Sequence, residues 1–159
     1  MNRKRVFFLV LLLSGILLST NAYGLSLASV QAGAGFIPDG KIFGAMVKAS
    51  LGPFFSTYAE FFKKEGITTT NVGGNFFSLK LPTPKLKPYI DFGGGLNRSS
   101  GNGASKTRLM ASVAAGAEIP MGEKSGIFGH VKYIYTFGSD LMAVRDVVIQ
   151  AGLSFNLGI

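Results

Sequence analysis

The side chains that could carry acid–base or metal chemistry in this chain are a single histidine, His130, and the carboxylates Glu60, Asp91 and Glu118. An imidazole that is held by a partner can act as a general base, and two close carboxylates can share a proton or bind a metal ion. Lys132 lies two residues beyond His130, so the same groups could instead form ion pairs. The choice depends on how the chain arranges them in space.

Two glycine-rich stretches raise the question of phosphate binding: Gly33-Ala34-Gly35 and Gly93-Gly94-Gly95. A phosphate-binding loop opens a helix and carries a Gly-Lys-Ser/Thr sequence that supplies the lysine and a metal ligand. Neither stretch is followed by a helical pattern or by that sequence. Glycines that let a strand bend are the better explanation, and we expect no cofactor and no bound metal.

The clearest structural signal is the C-terminal stretch from Val147 to Leu157. Apolar residues alternate strictly with polar or small ones, which is the pattern of a β-strand with one apolar and one polar face. The apolar positions are Val147, Ile149, Ala151, Leu153, Phe155 and Leu157.

Turn signals recur along the rest of the chain at intervals of about ten residues, which is typical of an all-β sandwich or barrel. They divide it into eight predicted strands: Ala28–Phe36, Ile42–Leu51, Phe54–Lys63, Asn71–Leu81, Pro88–Asn97, Leu109–Ile119, Ile127–Phe137 and Val147–Leu157. The fourth is the least regular, since Phe76 and Phe77 are adjacent, and we place Phe77 on the apolar face with Ser78 and Lys80 opposite.

The polar faces of these strands carry a balanced set of charges. Three acids, three lysines and the histidine share this face: Lys48, Glu60, Lys80, Asp91, Glu118, His130 and Lys132. In a water-soluble barrel such a face would point to solvent. In an eight-stranded membrane barrel it would fill a narrow lumen, where charges must pair because an unpaired buried charge is costly. The balance favours the membrane barrel and paired charges over a metal site.

Two further features favour a membrane. Aromatic residues cluster at both sets of predicted strand ends, as in interfacial girdles: Phe36, Phe43, Tyr133, Tyr135 and Phe137 at one, and Phe54, Phe55 and Phe155 at the other. The predicted connections also differ in length. Lys63–Asn71 and Asn97–Arg108 are longer than Gly52-Pro53 and Pro82–Lys87, and barrels of this class place their longer connections outside the cell.

The N-terminus indicates export. Arg3, Lys4 and Arg5 precede an apolar run from Val6 to Leu18 that is too short to span a bilayer, and small residues end at Gly24. We expect residues 1–24 to be a cleaved signal peptide and 25–159 a single barrel domain. The chain has no cysteine, so no disulfide framework forms. Its charge of +8, three of which leave with the signal, fits an anionic membrane surface, and export argues against nucleic acid.

With these features the chain resembles the small eight-stranded outer membrane β-barrel family related to OmpA, OmpX and the opacity proteins. Its most specific piece is the C-terminal strand, in which Gln150, Gly152, Phe155 and Leu157 match the family's insertion signal. The final Leu157-Gly158-Ile159 departs from the terminal phenylalanine of most members. Tyr89–Leu96 and Gln31–Phe36 are also similar to family sequences.

The resemblance implies an all-β, antiparallel, up-and-down transmembrane β-barrel of eight strands with an apolar outer face and a polar, filled lumen. Implied partners are outer membrane lipid and lipopolysaccharide, with the barrel assembly machinery and periplasmic chaperones during biogenesis. The implied location is the outer membrane of a Gram-negative bacterium. Some family members are lipid A deacylases with a lipid-facing histidine and serine, whereas His130 is predicted to face the lumen.

We therefore expect a structural or surface-interaction protein without catalytic residues. A basic outer rim could contact lipopolysaccharide phosphates or an acidic host surface, through Lys63, Lys64, Arg98, Lys106, Arg108 and Arg145, with Lys41 nearby. Three alternatives stay open: a narrow ion-conducting channel, an adhesin that acts through its loops, and a soluble periplasmic lipocalin-like barrel with the two faces inverted.

Overall fold

Eight β-strands account for most of the residues that a computed structural model describes, which are 28–52, 54–81, 83–101, 103–138 and 145–157. The strands are β1 (Ala28–Ile37), β2 (Ile42–Leu51), β3 (Phe55–Lys64), β4 (Ile67–Lys80), β5 (Lys87–Gly101), β6 (Ala104–Pro120), β7 (Ser125–Thr136) and β8 (Arg145–Asn156). The predicted signal peptide lies outside the described residues. No helix among those residues has the length and apolarity needed to span a membrane.

The strands form one closed antiparallel barrel in chain order. The barrel closes between β1 and β8, where Gln31 is in register with Ser154 and Ala34 with Ala151. Closure gives every strand two hydrogen-bonded neighbours and leaves no sheet edge. The predicted eight-stranded up-and-down barrel is confirmed.

The two faces of each strand are those that the alternation predicts. On β7, the side chains of Phe128, His130 and Lys132 are buried, whereas Ile127 and Val131 are exposed. The closing strand behaves in the same way, with Gln150 and Ser154 buried inside. Large apolar side chains therefore cover the outside of the barrel, and polar ones fill much of its interior.

A β-bulge explains why β4 has the least regular sequence. Asn75 is in register with Gly93 and Phe77 with Phe92, so Phe76 is an extra residue with no partner on β5. Both phenylalanines point outward, and Phe76 is 71% exposed. The bulge restores the alternation after it and keeps Ser78 inside.

The two long connections predicted from the sequence are wrong. β3 and β4 are joined by only Glu65 and Gly66, whose positive φ angles of 42° and 83° fit a tight type I′ hairpin turn. β5 and β6 also run on to a short turn at Gly103, with φ of 78°. Segments rich in glycine, serine and threonine look like loops, but here they pair as strands. Residues 81–86 separate β4 from β5 at the opposite end, and residues 137–144, most of which lie outside the described part, separate β7 from β8.

An apolar layer crosses the lumen near the end that carries the β3–β4 and β5–β6 turns. It consists of Ile37, Tyr58, Phe62, Met110, Ile134 and Val148, with Ile42 packed against it. Phe62 is fully buried. A Cβ added at Gly35 would lie 2.9 Å from its ring, so a residue with no side chain is what lets this ring cross the lumen. Alternation alone did not reveal that part of the interior is apolar.

Candidate functional site

The polar part of the lumen is built around two ion pairs. In the first, the Lys48 Nζ on β2 lies 2.5 Å from the Asp91 Oδ2 on β5. Asp91 also accepts hydrogen bonds from the Ser78 hydroxyl at 2.5 Å and the Asn75 amide at 3.2 Å. Residues from β2 and β4 thus hold the Asp91 carboxylate of β5, whose negative charge is balanced by lysine.

The second ion pair joins β3 and β7, with the Lys132 Nζ 2.7 Å from the Glu60 Oε1. Glu60 also accepts hydrogen bonds from the amides of Asn71 at 2.9 Å and Gln150 at 3.1 Å. The same Lys132 Nζ lies 3.4 Å from the centroid of the Tyr58 ring, which is a cation–π contact. The carboxylates of both ion pairs therefore have partners on several sides.

His130 is held between two neutral partners, and these fix its tautomer. The Gln150 amide nitrogen donates to Glu60, so its oxygen faces the His130 Nε2 and accepts the proton carried there. The His130 Nδ1 is then an acceptor, and the Tyr89 hydroxyl donates to it at 2.8 Å. Both ring nitrogens are engaged, which leaves neither of them ready to accept a proton from a substrate.

Little space remains between these groups. The cavity lined by both ion pairs, His130 and Gln150 has a volume of about 10 Å³, which is room for about one water molecule. The apolar layer around Phe62 lies beyond it. This arrangement can bind the strands together, but it offers no room for a substrate.

Lys80 and Glu118 are the two predicted lumen charges that the structure does not join to the others. Glu118 is buried and Lys80 is half-buried, and they are close enough to interact electrostatically. Across the parts of the chain that the structure describes, no ion pair or hydrogen bond holds either head group. Within that same part, no group of three or more histidine or acidic side chains is placed to bind a metal.

Sequence reasoning missed the amides and hydroxyls that complete the network. Tyr58 and Tyr89 face inward at positions where alternation predicts the polar face, so that signal was available for their orientation. Asn71 and Asn75 face inward only because the bulge at Phe76 shifts the alternation of β4. The partners of all four lie on other strands, up to 54 residues away for the Tyr58–Ser112 contact, so no local pattern could have identified them.

The predicted basic rim divides into two faces. Lys63 and Arg98 follow the outer face of their strands and are exposed. Lys64, Lys106 and Arg108 follow the inner face: the two lysines are exposed, but Arg108 is only 7% exposed. The prediction that all of these cations lie on a solvated rim is thus wrong for Arg108. The side chain of Arg145 is outside the described part.

The residues of the predicted insertion signal also divide between the faces. Gln150 faces inward and belongs to the lumen network, and Gly152 is in register with Gly33 of β1. Phe155 and Leu157 are exposed on the outside. Their role in assembly stays a prediction.

No protein-family model and no curated protein matches the chain. Solved structures do. Neisserial surface protein A (NspA) aligns with a TM-score of 0.72 at 19% identity, over 83% of this chain and 98% of that one. The N-terminal β-barrel domain of Pseudomonas aeruginosa OprF aligns with a TM-score of 0.58 at 13% identity, over 80% of this chain and 95% of that one. The third is Ail, the attachment invasion locus protein of Yersinia pestis, in complex with the heparin analogue sucrose octasulfate. It aligns with a TM-score of 0.50 at 15% identity, over 80% of this chain and 96% of that one.

These likenesses, at identities below 20%, concern the fold. The chain has the fold of the small eight-stranded transmembrane β-barrels of bacterial outer membranes, with an apolar outer face and a filled lumen. The resemblance inferred from the sequence is confirmed at that level. A fold does not assign a function, which must come from the residues of the site.

Proposed function

We propose that this protein is a non-catalytic component of a Gram-negative outer membrane, with a structural or surface-interaction role. The observation that carries the proposal is the division of the barrel into an apolar outside and an interior filled by paired charges. A lipid-facing surface of this kind has no stable place in water, because such extended apolar area would associate. A lumen with room for about one water leaves its rim and hairpins as the surface through which it acts.

Several observations support a non-catalytic role. The only histidine has both ring nitrogens in hydrogen bonds, and the Ser112 hydroxyl is paired with the Tyr58 hydroxyl at 3.2 Å. Ser112 and His130 also face inward, away from lipid. No described pair of nucleophile and base is therefore presented to a lipid substrate.

Export and insertion are part of the same proposal. The signal peptide would bring the chain to the periplasm, periplasmic chaperones would hold it, and the barrel assembly machinery would recognise Gln150, Gly152, Phe155 and Leu157. Lipopolysaccharide is the proposed lipid partner, because Lys63 and Arg98 lie on the outer face beyond the apolar rows of β3 and β5. Lys63 is in register with Thr68, and Arg98 donates a hydrogen bond to the Ser105 hydroxyl.

The first test is fractionation of cells that express the chain. We expect the protein in the sarkosyl-insoluble outer membrane fraction, with different gel mobility before and after boiling. A protein found in the soluble periplasm would overturn the proposal and favour the lipocalin-like alternative.

A pair of matched substitutions tests the lipid-facing assignment directly. Val131→Arg places a charge in the middle of the outer face of β7, and an arginine at the membrane midplane costs about 2–4 kcal/mol. Thr107→Arg places the same charge on the exposed outer rim, where the cost is about 0–1 kcal/mol. Urea titration of both variants in lipid vesicles, read by gel mobility, should show that difference. Equal costs would contradict the membrane orientation.

A further inference from the structure

Arg108 is a buried cation that, in the described part of the chain, is not paired as Lys48 and Lys132 are. Arg108 on β6 is 7% exposed, faces inward beside Asn97, and has its Cδ and Nε next to Gly138. Within the residues that the structure describes, its guanidinium makes no hydrogen bond and no ion pair. Lys48 and Lys132, which are equally buried, each pair with a carboxylate.

The missing partner matters energetically. A buried charge without a counter-charge costs several kcal/mol, which is why buried cations are normally paired. Asn97, the neighbour in register, does not compensate, because its amide donates to the Asn71 oxygen at 2.7 Å. An anion added beside Arg108 would therefore gain a charge-assisted hydrogen bond and displace no partner among the described residues.

Lys106 is the described cation that shares the inner-facing side of β6 with Arg108, nearer the turn, and it is exposed. Lys64 follows the inner face of β3, but its Nζ lies beside Gly40 in the β1–β2 turn. Acids also occur at this end of the barrel: Asp39 in the β1–β2 turn interacts electrostatically with Asp146 on β8, and Glu65 is exposed at the tip of the β3–β4 turn. No acidic residue of β6 lies beside Arg108 within the described part of that strand, whose inward residues near it are Lys106 and Met110.

We propose that the mouth of the barrel at this end binds one phosphate or sulfate group of a water-soluble ligand, with Arg108 at its base and Lys106, on the same face of β6, at its edge. A guanidinium matches two oxygens of such a group through two parallel N–H donors. The source is the outside solution and not lipid, since Arg108 follows the inner face, whereas Lys63 and Arg98 face outward. The inference rests on the proposed function in one respect, which is the side of the membrane that this mouth faces.

The test is an NMR titration of the folded barrel with inorganic phosphate at constant ionic strength, in a detergent that carries no phosphate. The Nε–H signal of Arg108 should shift and saturate. Arg108→Gln should weaken binding about tenfold or more, the loss that follows when about 1.4 kcal/mol of a charged hydrogen bond is removed. The control Lys124→Gln, at an exposed lysine in the β6–β7 turn at the opposite end of the barrel, should change it less than twofold.

Each other outcome has a defined meaning. Equal weakening by the two glutamine variants, or no saturable shift at Arg108, overturns the proposal. If Arg108→Gln does not fold, Arg108→Lys keeps the charge without the fork and should bind with intermediate strength.

A lipid arm separates the two phosphate sources. Vesicles that contain lipid A should shift the Arg98 signal and leave that of Arg108 unchanged, and a shift of Arg108 with lipid alone overturns the soluble ligand. Phosphate binding is measured on the purified barrel in detergent, so a negative titration does not change the result of the fractionation test of the proposed function. If the protein were instead found in the periplasm, phosphate binding to Arg108 could still be measured by the same titration.

Discussion

Glu60 shows how single residues hold this barrel together. Its carboxylate receives Asn71 from β4, Lys132 from β7 and Gln150 from β8, so it links four strands counting its own. Asp91 does the same for β2 and β4 through Lys48, Asn75 and Ser78. Because chains of hydrogen bonds in a low-dielectric interior strengthen one another, each carboxylate stabilises closure of the barrel.

Removing one member of such a pair should cost more than removing both. Lys132→Met leaves Glu60 without its counter-charge, and we expect a loss of about 3–5 kcal/mol in the free energy of unfolding. Glu60→Gln together with Lys132→Met leaves no unpaired charge and should recover most of that loss. The measurement is unfolding by urea in lipid vesicles, followed by gel mobility.

Lys63→Met is the matched control, because Lys63 is an exposed lysine on the rim. Its effect should stay within about 0.5 kcal/mol, as is usual for surface positions. A double variant no more stable than Lys132→Met alone would show that the pair is not energetically coupled.

Among the strands, β4 is distinguished by its β-bulge. Its bulge gives the strand one residue more than its partner needs, and the ring of Phe76 lies over glycines, 3.7 Å from a Cβ added at Gly94. Aromatic cover of this kind supports strand glycines on an exposed face. The bulge also explains why two adjacent phenylalanines occur in an otherwise alternating segment.

Deleting Phe76 should therefore be tolerated. Asn75 stays inside, Phe77 takes the outward position, and Ser78 and Asn75 keep their hydrogen bonds to Asp91. We expect a heat-modifiable barrel that loses about 1 kcal/mol of stability, the typical effect of a point change.

Deleting Val72 provides the contrast, because it has a regular partner in Leu96. Its loss would turn the side chains on one side of the deletion to the opposite face, and no shifted band should form. If the Phe76 deletion also fails to fold, the bulge has a structural role beyond register.

For the whole molecule, the filled lumen bears on the channel alternative. The cavity of about 10 Å³ between the ion pairs and the apolar layer around Phe62 leave no path for steady ion flow among the described residues. We expect the purified barrel to show no steady conductance steps in planar bilayers. Reproducible steps would mean that the ion pairs exchange partners and would favour the channel.

The sequence by itself determined the fold class, the number of strands and which face of each strand points outward. These features can be read from the sequence because the alternation of apolar and polar residues is a local pattern with a period of two. The outer face also meets a single apolar environment, the lipid, so its residues share one character. The inward orientation of Lys48, Glu60, Asp91, His130 and Lys132 followed from the same pattern.

Only the tertiary structure decided which inward groups meet. Lys132 and Glu60 are 72 residues apart in the chain, and their contact depends on barrel closure and register. It also decided that the segments around Gly66 and Gly103 are strands, because pairing with neighbours outweighs their loop-like composition. The burial of Arg108 and the apolar layer around Phe62 arise in the same way, since both depend on what several strands bring to one level of the lumen.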